Sequence, residues 1–308
     1  MTVHHFIPSI YYTTFGSHPP ALRIADGDTV ITTTLDAWGM DFQGRQVMPK
    51  GNPQSGPFYI EGAEPGDTLA VHLDHLAPNR RTGFSLTVVA PNVVVPEALS
   101  YLPARRQADW RIDPASQTAA LASDFPALPA ITLPLNPMLG CLGVAPAGGQ
   151  AISTATSGDY GGNMDYRGFV AGVTVYFPVF VPGALLFMGD GHAVQGDGEV
   201  VGTGIETSFE VTFTVHLLKG KSIQRPRGEN RDDIFTVGNA RPLELGVQLA
   251  TTDMLIWLYE DYGLDGEAAS TLLGMCGHYD VGNIYDPAFT MVCRLSKKYL
   301  PKRRESPQ

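Results

Sequence analysis

Residues 208–217 read Ser-Phe-Glu-Val-Thr-Phe-Thr-Val-His-Leu, and this stretch decides the fold class. Apolar and polar side chains alternate along it, which predicts an antiparallel strand with one buried face. The residues of that face are Phe209, Val211, Phe213, Val215 and Leu217. A helix would need apolar residues spaced by one helical turn, so the alternation favours a β-rich core.

Other β-prone segments precede and follow this strand, separated by turn sequences such as Glu64-Pro-Gly-Asp67. We predict strands over Thr29–Leu35, Thr68–Leu73, Phe84–Val89, Ala151–Thr156, Val170–Phe177, Ala184–Met188 and Ile234–Val237. The chain has 34 Gly and 24 Pro among 308 residues, a content that disfavours long helices. The region 97–127, rich in Ala, Pro and Arg, is predicted to be a loop or small insertion.

Helical spacing appears only late in the chain. It predicts a helix over Leu243–Tyr262, ended by Gly263. Asp265 is predicted to cap a second helix, Glu267–Met275. We therefore expect residues 1–308 to form one closely packed unit, with a β-rich core over about 1–240 and a helical or α+β part over about 241–308.

One charge-free run, Phe169–Gly189, has 21 residues and reaches the length of a bilayer span. Pro178 and Pro182 interrupt it, and β-branched residues dominate its first half. We therefore predict that two buried strands joined by a proline turn occupy this run, and that the protein has no membrane partner.

Charge and cysteine content limit the partners and the compartment. The net charge of −10 disfavours nucleic acid and anionic membrane surfaces. The three cysteines lack CxxC spacing, so neither a disulfide framework nor a thiolate zinc site is indicated. The first residues also lack the basic and apolar regions of a secretory signal. These features predict a cytoplasmic protein.

Several common catalytic motifs are missing from the sequence. It contains no G-x-S-x-G nucleophile elbow, and neither a P-loop nor a dinucleotide fingerprint occurs in its usual setting. No lysine falls between residues 51 and 218, where the glycine-rich segments lie. Amide chemistry that depends on a lysine would therefore need a distant one.

Ionisable residues concentrate in the glycine-rich run from Gly189 to Glu206. Asp190 and His192 project to one side of an extended chain, as do Asp197 and Glu199, and the glycines permit a tight return that brings both pairs together. Such oxygen and nitrogen donors can hold a divalent metal without a thiolate. The alternative is a polar hairpin whose acids face solvent.

Three further polar segments are weaker candidates. Asn163 and Asp165 alternate onto one face of a glycine-rich segment and could orient an amide or a metal-bound water, although an Asx-turn loop explains them equally well. The segments around Asp36 and around Glu61 resemble ordinary turns at strand ends.

Long motifs in a fixed order resemble those of the acetamidase/formamidase family. The motifs are Gly56-Pro-Phe-Tyr-Ile-Glu61-Gly-Ala-Glu-Pro-Gly-Asp67, Gly140-Cys-Leu-Gly-Val-Ala-Pro146, Gly161-Gly-Asn163-Met-Asp165 and Gly189-Asp190-Gly-His192-Ala-Val-Gln195-Gly-Asp197-Gly-Glu199, with Glu206 after them. The resemblance implies a mainly β protein: a jelly-roll-like β-sandwich with an added α+β portion and C-terminal helices. It also implies a homo-oligomeric hydrolase of small amides that releases ammonia and a carboxylate and contains a divalent metal, with Zn²⁺ favoured and Ca²⁺ the alternative.

Carried onto this chain, the resemblance implies a metal neighbourhood formed by Asp36, Asp190, His192 and Glu199. Asp165, Asn163 and Glu61 would line the same site. As a hypothesis, the metal lowers the pKa of its water and polarises the amide carbonyl. Glu199 or Glu61 would then carry the proton, while Asn163 and the Gly161–Gly162 amides would stabilise the oxyanion.

Alternatives remain open at this point. Trp38 and Tyr166 could stack on a larger aryl or cyclic amide. The same acids could serve a non-catalytic, metal-dependent β-sandwich that binds small ligands. Cys141 could be a nucleophile, but a small buried hydrophobe is the simpler interpretation. His278 and Asp280 could assist from a loop or simply belong to a turn at a helix end.

Overall fold

Strands supply most of the regular structure in residues 1–304, the part of the chain that the computed structural model describes. The first eleven are β1 (Val3–His5), β2 (Tyr11–Tyr12), β3 (Thr14–Phe15), β4 (Leu22–Ile24), β5 (Thr29–Thr33), β6 (Gln54–Ile60), β7 (Thr68–Pro78), β8 (Thr82–Leu86), β9 (Gln107–Asp113), β10 (Thr118–Leu121) and β11 (Thr132–Pro134). The next twelve are β12 (Met138–Gly143), β13 (Ile152–Ser153), β14 (Ser157–Gly158), β15 (Gly161–Asn163), β16 (Thr174–Pro178), β17 (Leu186–His192), β18 (Glu206–Thr207), β19 (Phe209–Leu218), β20 (Arg227–Glu229), β21 (Asp233–Ala240), β22 (His278–Asn283) and β23 (Phe289–Ser296). The predicted mainly β class is confirmed, and the jelly-roll topology stays a prediction.

Two large sheets hold nearly all of these strands. The first has nine strands in the order β1-β5-β19-β7-β16-β20-β21-β23-β22. The second has twelve: its main path is β11-β10-β9-β8-β18-β17-β12-β15-β14, and β6 joins β17 while pairing with β2 and β4. The main core contains side chains from both sheets, and the Phe58 and Phe213 rings meet at 5.1 Å.

The alternating stretch forms β19, paired with β5 on one side and β7 on the other. Phe209, Val211, Phe213 and Val215 are fully buried, and only Leu217 is half-buried. The predicted strand and its buried face are therefore confirmed. Its side chains help to form the core beneath the sheet that carries the candidate site.

The late helical segments are α1 (Leu243–Tyr262) and α2 (Gly266–Cys276), and both predictions are confirmed. Gly263 ends α1 with a φ of 71°, a left-handed conformation in which its N–H reaches the Leu258 and Tyr259 carbonyls. Asp265 caps α2 by accepting a hydrogen bond from the Ala268 N–H at 2.9 Å.

Helix α1 packs on β21 and β23 of the nine-stranded sheet, with Trp257 in the shared core. The last third of the chain therefore completes a sheet that begins at the N-terminal strand. This continuity supports a single packed unit, although the division near residue 240 stays a prediction.

The region 97–127 is not a loop or insertion as predicted. It contains β9 and β10, which extend the twelve-stranded sheet beyond β8. Ala108 and Ile112 are buried on one face of β9, an alternation that the surrounding Arg and Pro residues obscured. The bounds of other predicted strands also differ in the structure. The predicted strand Ala151–Thr156, for example, is reduced to the two residues Ile152–Ser153.

The charge-free run contributes the buried parts of β16 and β17, so the prediction of two strands is confirmed with shifted bounds. No helix within residues 1–304 is long and apolar enough to cross a membrane. Both strands lie inside their sheets, and β17 continues directly into the polar residues of the candidate site.

A buried carboxylate ties the N-terminal strand to the first sheet. Asp28 accepts hydrogen bonds from the Thr2 N–H at 2.7 Å and the Ala25 N–H at 3.0 Å, and its other contact is the His4 ring at 2.9 Å. The His4 contact, followed by the backbone donors, lowers the pKa of Asp28 from 3.8 to about 2.

We expect Asp28→Asn to lower the free energy of unfolding at pH 7 by about 1.5–3 kcal/mol, because it weakens several hydrogen bonds to a charged group. Since the folded-state pKa is depressed, this contribution is present above about pH 4 and is lost as the pH falls toward 2. Urea unfolding of wild type and variant at several pH values measures the difference, with the exposed Asp124→Asn as control. A difference that persists unchanged at pH 2 would contradict the prediction.

Candidate functional site

The centre of the candidate site is formed by the end of β17 and its neighbour β18. Asp190 and His192 lie two residues apart on β17, and Glu206 of β18 is the register partner of His192. The Nε2 atom of His192 lies 2.9 Å from Glu206 Oε1, 3.4 Å from Asp190 Oδ1 and 4.0 Å from Glu199 Oε1. The structure therefore brings Asp190, His192 and Glu199 together, as the sequence predicted.

Glu199 reaches this centre because its loop is attached to β22. The Gly198 N–H donates to the Val281 carbonyl, and the Ile284 N–H donates to the Gly198 carbonyl, both at 2.9 Å. The predicted convergence of Asp197 is wrong. Its side chain is exposed and pairs with Arg167. Asp197 lies just before Gly198, the residue at which the attachment to β22 begins.

A second group of polar side chains completes the cluster from other parts of the chain. Asn283 donates to Asp165 Oδ2 and to Asp286 Oδ2, each at 2.6 Å. Asn163 donates to the same Asp165 oxygen at 2.9 Å and also contacts Asp286. The predicted pairing of Asn163 with Asp165 on one face is present, and both N–H groups of Asn163 are engaged by carboxylates.

Asn52 links the two halves of the cluster. Its amide nitrogen donates to Asn163 Oδ1 at 2.8 Å and to Asp190 Oδ2 at 3.0 Å. Gln54, which is fully buried, donates to the Asn52 side-chain oxygen at 2.8 Å. Sequence reasoning missed Asn52, Gln54 and Asp286, and no local pattern around them indicates a site.

The hydrogen bonds of Gln195 fix the orientation of the His192 ring. Gln195 donates to the Asp165 carbonyl at 2.6 Å, so its own oxygen faces His192 Nδ1 at 2.8 Å. That nitrogen therefore carries a hydrogen, and Nε2 is the one directed at the acids. A ring fixed through one nitrogen, with the other directed at carboxylates, is the arrangement found in metal-binding histidines.

Burial of so many acids changes their protonation. It raises the pKa of Glu206 to about 7 and that of Asp286 to about 6. Burial followed by neighbouring carboxylates also raises the pKa values of Asp165 and Glu199 well above their usual range. For His192, burial opposes the charged form, but Glu206 and then Asp190 outweigh it and raise its pKa. The cluster therefore needs protons or a cation to offset its charge.

The backbone is strained at the same positions. Asp165, Asp190 and Glu199 have φ values of 45°, 61° and 47°, in the left-handed region that residues with a Cβ avoid. Strain of this kind persists where surrounding structure enforces it, and it concentrates at functional sites. Here the enforcing contacts are the strand pairings and the hydrogen bonds of the cluster.

The donor atoms fit a metal ion. The possible ligand sets are Asp165, Asp190 and His192; His192, Glu199 and Glu206; and Asp165, Glu199 and Asp286, with each set's atoms within 4.8 Å of one another. Within residues 1–304, the buried atoms Asp165 Oδ1, His192 Nε2 and Glu206 Oε2 have no hydrogen-bond partner.

Gly140 of β12 leaves open space beside the first of these sets. A Cβ added there would lie 2.4 Å from Asp165 Oδ1, 2.8 Å from Asp190 Oδ2 and 3.0 Å from the His192 ring. The missing side chain therefore keeps three potential ligands free to face one point.

Two predicted site residues are not part of this cluster. Glu61 follows the last residue of β6, lies half-exposed at the surface and pairs with Arg23 at 3.1 Å. Asp36 is fully buried, but Arg80 takes its Oδ2 at 2.6 Å and the Trp38 and Met40 N–H groups take its Oδ1. Its oxygens therefore have partners already, and this position does not favour a role as metal ligand.

The other residues that the sequence suggested for the site do not line the cavity beside the cluster. Cys141 is fully buried, and burial followed by nearby carboxylates raises the pKa of its thiol, so it packs as a small hydrophobe. Tyr166 is in the main core and donates to Asp280, which also pairs with Arg294. His278 is exposed on β22. None of these side chains lines the cavity described below.

A model of the Acetamidase/Formamidase family matches residues 18–149 and 147–250 of this chain. The chain belongs to the acetamidase/formamidase family. This family member is 32% identical to the acetamidase of Yersinia enterocolitica, whose crystal structure superposes with a TM-score of 0.84 over 97% of this chain and 93% of the other.

Two curated relatives match over shorter ranges. An acetamidase from Mycolicibacterium smegmatis is 29% identical over 241 residues, or 61% of this chain and 58% of the relative. A formamidase from Methylophilus methylotrophus is 27% identical over 211 residues, or 54% and 51%. The match to this family member thus spans just over half the length of these relatives.

Gly140→Ala tests the open space in the cluster. Its methyl group would displace Asp165 or Asp190, so any divalent metal that these residues hold, with zinc as the probe, should bind about 10–100-fold more weakly, the size typical of disturbed ligand geometry. Competition with a fluorescent zinc chelator measures the change. Gly196→Ala is the matched control, because a Cβ there meets nothing within 4 Å. If the Gly140→Ala protein is folded, as verified by circular dichroism, and binds zinc as tightly as wild type, the space beside Gly140 is not the metal site.

Proposed function

We propose that this protein is a metal-assisted hydrolase of small carboxamides, which releases ammonia and a carboxylate. Membership of the acetamidase/formamidase family and the names of its relatives support amide hydrolysis. Two buried atoms without hydrogen-bond partners, Asp165 Oδ1 and His192 Nε2, support the presence of a metal. Both residues lie beside the space at Gly140.

The residues proposed to hold the metal are Asp165, Asp190 and His192, with Glu206 adjacent. An imidazole nitrogen among carboxylates favours Zn²⁺ or a similar transition metal, whereas Ca²⁺ takes oxygen ligands. A divalent ion at this position would lower the pKa of a coordinated water toward about 7 and polarise a carbonyl oxygen.

Glu199 is proposed to move the proton. It lines the open cavity, and burial raises the pKa of its carboxyl, which makes the carboxylate a stronger base. Glu199 would accept a proton from the attacking water and return it to the amide nitrogen, so that the C–N bond breaks and ammonia leaves. Water and amide are consumed together, and the second product is the carboxylate.

The amide of Asn163 is proposed to position these acids rather than to bind the oxyanion. Its N–H groups already donate to Asp165 and Asp286. Gly161 and Gly162 lie inside β15, which pairs with β12 and β14 on its two edges. This pairing gives no support to an oxyanion hole built from their N–H groups.

Metal analysis and ammonia release test this function together. We expect purified protein to contain about one equivalent of a divalent metal per chain and to release ammonia from formamide or acetamide. Removal of the metal by a chelator should abolish turnover, and zinc should restore it. Full activity after extensive demetallation would refute metal assistance. Bound metal with no turnover of any amide would instead favour the small-ligand-binding alternative.

A pair of Gln variants tests the proton carrier. Glu199→Gln should lower kcat by about 10²–10⁴-fold, the contribution typical of general acid–base catalysis, with zinc content retained. Glu61→Gln, at the other glutamate that the sequence suggested, should leave kcat unchanged because that side chain is ion-paired at the surface. The opposite pattern in steady-state assays would transfer the role to Glu61.

Two expectations from the sequence stay predictions: the homo-oligomeric state and the cytoplasmic location. Size-exclusion chromatography with light scattering would decide the first. The larger-amide alternative loses part of its basis, because Tyr166 lies in the core and away from the cavity.

A further inference from the structure

The acids open into a cavity of about 230 Å³ that is lined by two different kinds of residue. The polar part contains Asp190, Glu199, Glu206 and Asp286. The apolar part is formed by Ala37, Trp38, Leu86 and Ala155, and Lys50 is the one lysine of the lining. A bound amide whose carbonyl faces the acids would therefore place its acyl substituent against the apolar part.

Trp38 is the largest side chain of that apolar part, and its position is fixed. Its backbone N–H donates to Asp36 Oδ1 at 3.0 Å, and Arg80 holds the same carboxylate at 2.6 Å. The indole stacks on Phe84, with ring centroids 3.9 Å apart and an interplanar angle of 28°. Phe84 is the register partner of Glu206, so the indole is held beside the acids.

The Lys50 ammonium covers Trp38 as well, 3.4 Å from the centroid of its ring. Phe84 and Lys50 occupy opposite faces, because two groups at these distances would collide on one face. Lys50 is exposed, so its side chain is free to leave the ring. Trp38 and Phe84 are thus fixed, whereas Lys50 is an exposed side chain whose charged end lies over an aromatic ring.

We propose that Lys50 covers the free face of Trp38 and so limits the enzyme to amides with short acyl groups. This inference rests on the proposed amidase function and adds the residue that limits the size of the acyl group. A formyl or acetyl group has no aromatic ring that would need the covered face of Trp38. An aryl group could stack on Trp38 only after displacing the Lys50 side chain, which covers that face of the ring.

Selectivity between benzamide and acetamide tests the proposal. Lys50→Ala should raise the ratio of their kcat/KM values by about three- to tenfold, since it exposes an indole face for stacking. Lys50→Met is the matched control: its chain still covers the ring but carries no charge, so the ratio should stay within about twofold of wild type. The double variant Lys50→Ala, Trp38→Leu should lose the gain.

Several results would overturn the proposal. An unchanged ratio in Lys50→Ala would show that the cover does not restrict the acyl group. An equal shift in Lys50→Met would assign the effect to charge rather than coverage. A gain that survives loss of the indole would place the new contact elsewhere.

Binding of benzamide, measured by isothermal titration calorimetry, gives a readout that depends neither on turnover nor on Trp38 as a reporter. We expect Lys50→Ala to bind benzamide about three- to tenfold more tightly than wild type, and Trp38→Leu to abolish the gain. If wild type hydrolyses no amide, the proposed function fails while this comparison still decides the role of Lys50. If wild type hydrolyses acetamide but neither the ratio nor the affinity changes, only the present inference fails.

Discussion

The burial of five carboxylates around one imidazole is the constraint on which the rest of the site depends. Asp165, Asp190, Glu199, Glu206 and Asp286 are all buried beside His192. Acids in such surroundings are stable only when hydrogen-bond donors, protons or a cation offset their charge. The side-chain amides of Asn52, Asn163 and Asn283 supply the donors, but within residues 1–304 two carboxylate oxygens of the cluster and His192 Nε2 have no hydrogen-bond partner. A metal ion bound to those atoms would offset the negative charge of the buried acids.

The same constraint explains the local backbone. Side chains that face one metal site must come from backbone segments that lie close together. Gly140 allows this because a methyl group at that position would strike Asp165 and Asp190. The left-handed conformations of Asp165, Asp190 and Glu199 turn their side chains toward the centre at a conformational cost. Glycine is therefore abundant in this region for reasons beyond the many turns of a β-rich chain. It makes room for polar groups that would otherwise be kept apart.

Much of the site was predictable because it is local in sequence. Asp190, His192, Glu199 and Glu206 belong to one short run, and the alternation of a strand explains why Asp190 and His192 share a face. The members that sequence reasoning missed come from far away. Asn52 contacts Asp190 across 138 positions, and Asn163 contacts Asp286 across 123. Glu61 shows the opposite error: it belongs to a family-like motif, yet the turn after β6 leaves it at the surface with Arg23.

The sequence by itself determined the mainly β class, the buried face of β19, both late helices and the concentration of acids after β17. Each follows from short-range rules of alternation, helical spacing and capping, which act within a few residues. Only the tertiary structure decided which acids meet, which asparagines hold them and that Lys50 lies across Trp38. Those contacts depend on how two sheets assemble strands from distant parts of the chain, and no local pattern encodes that pairing.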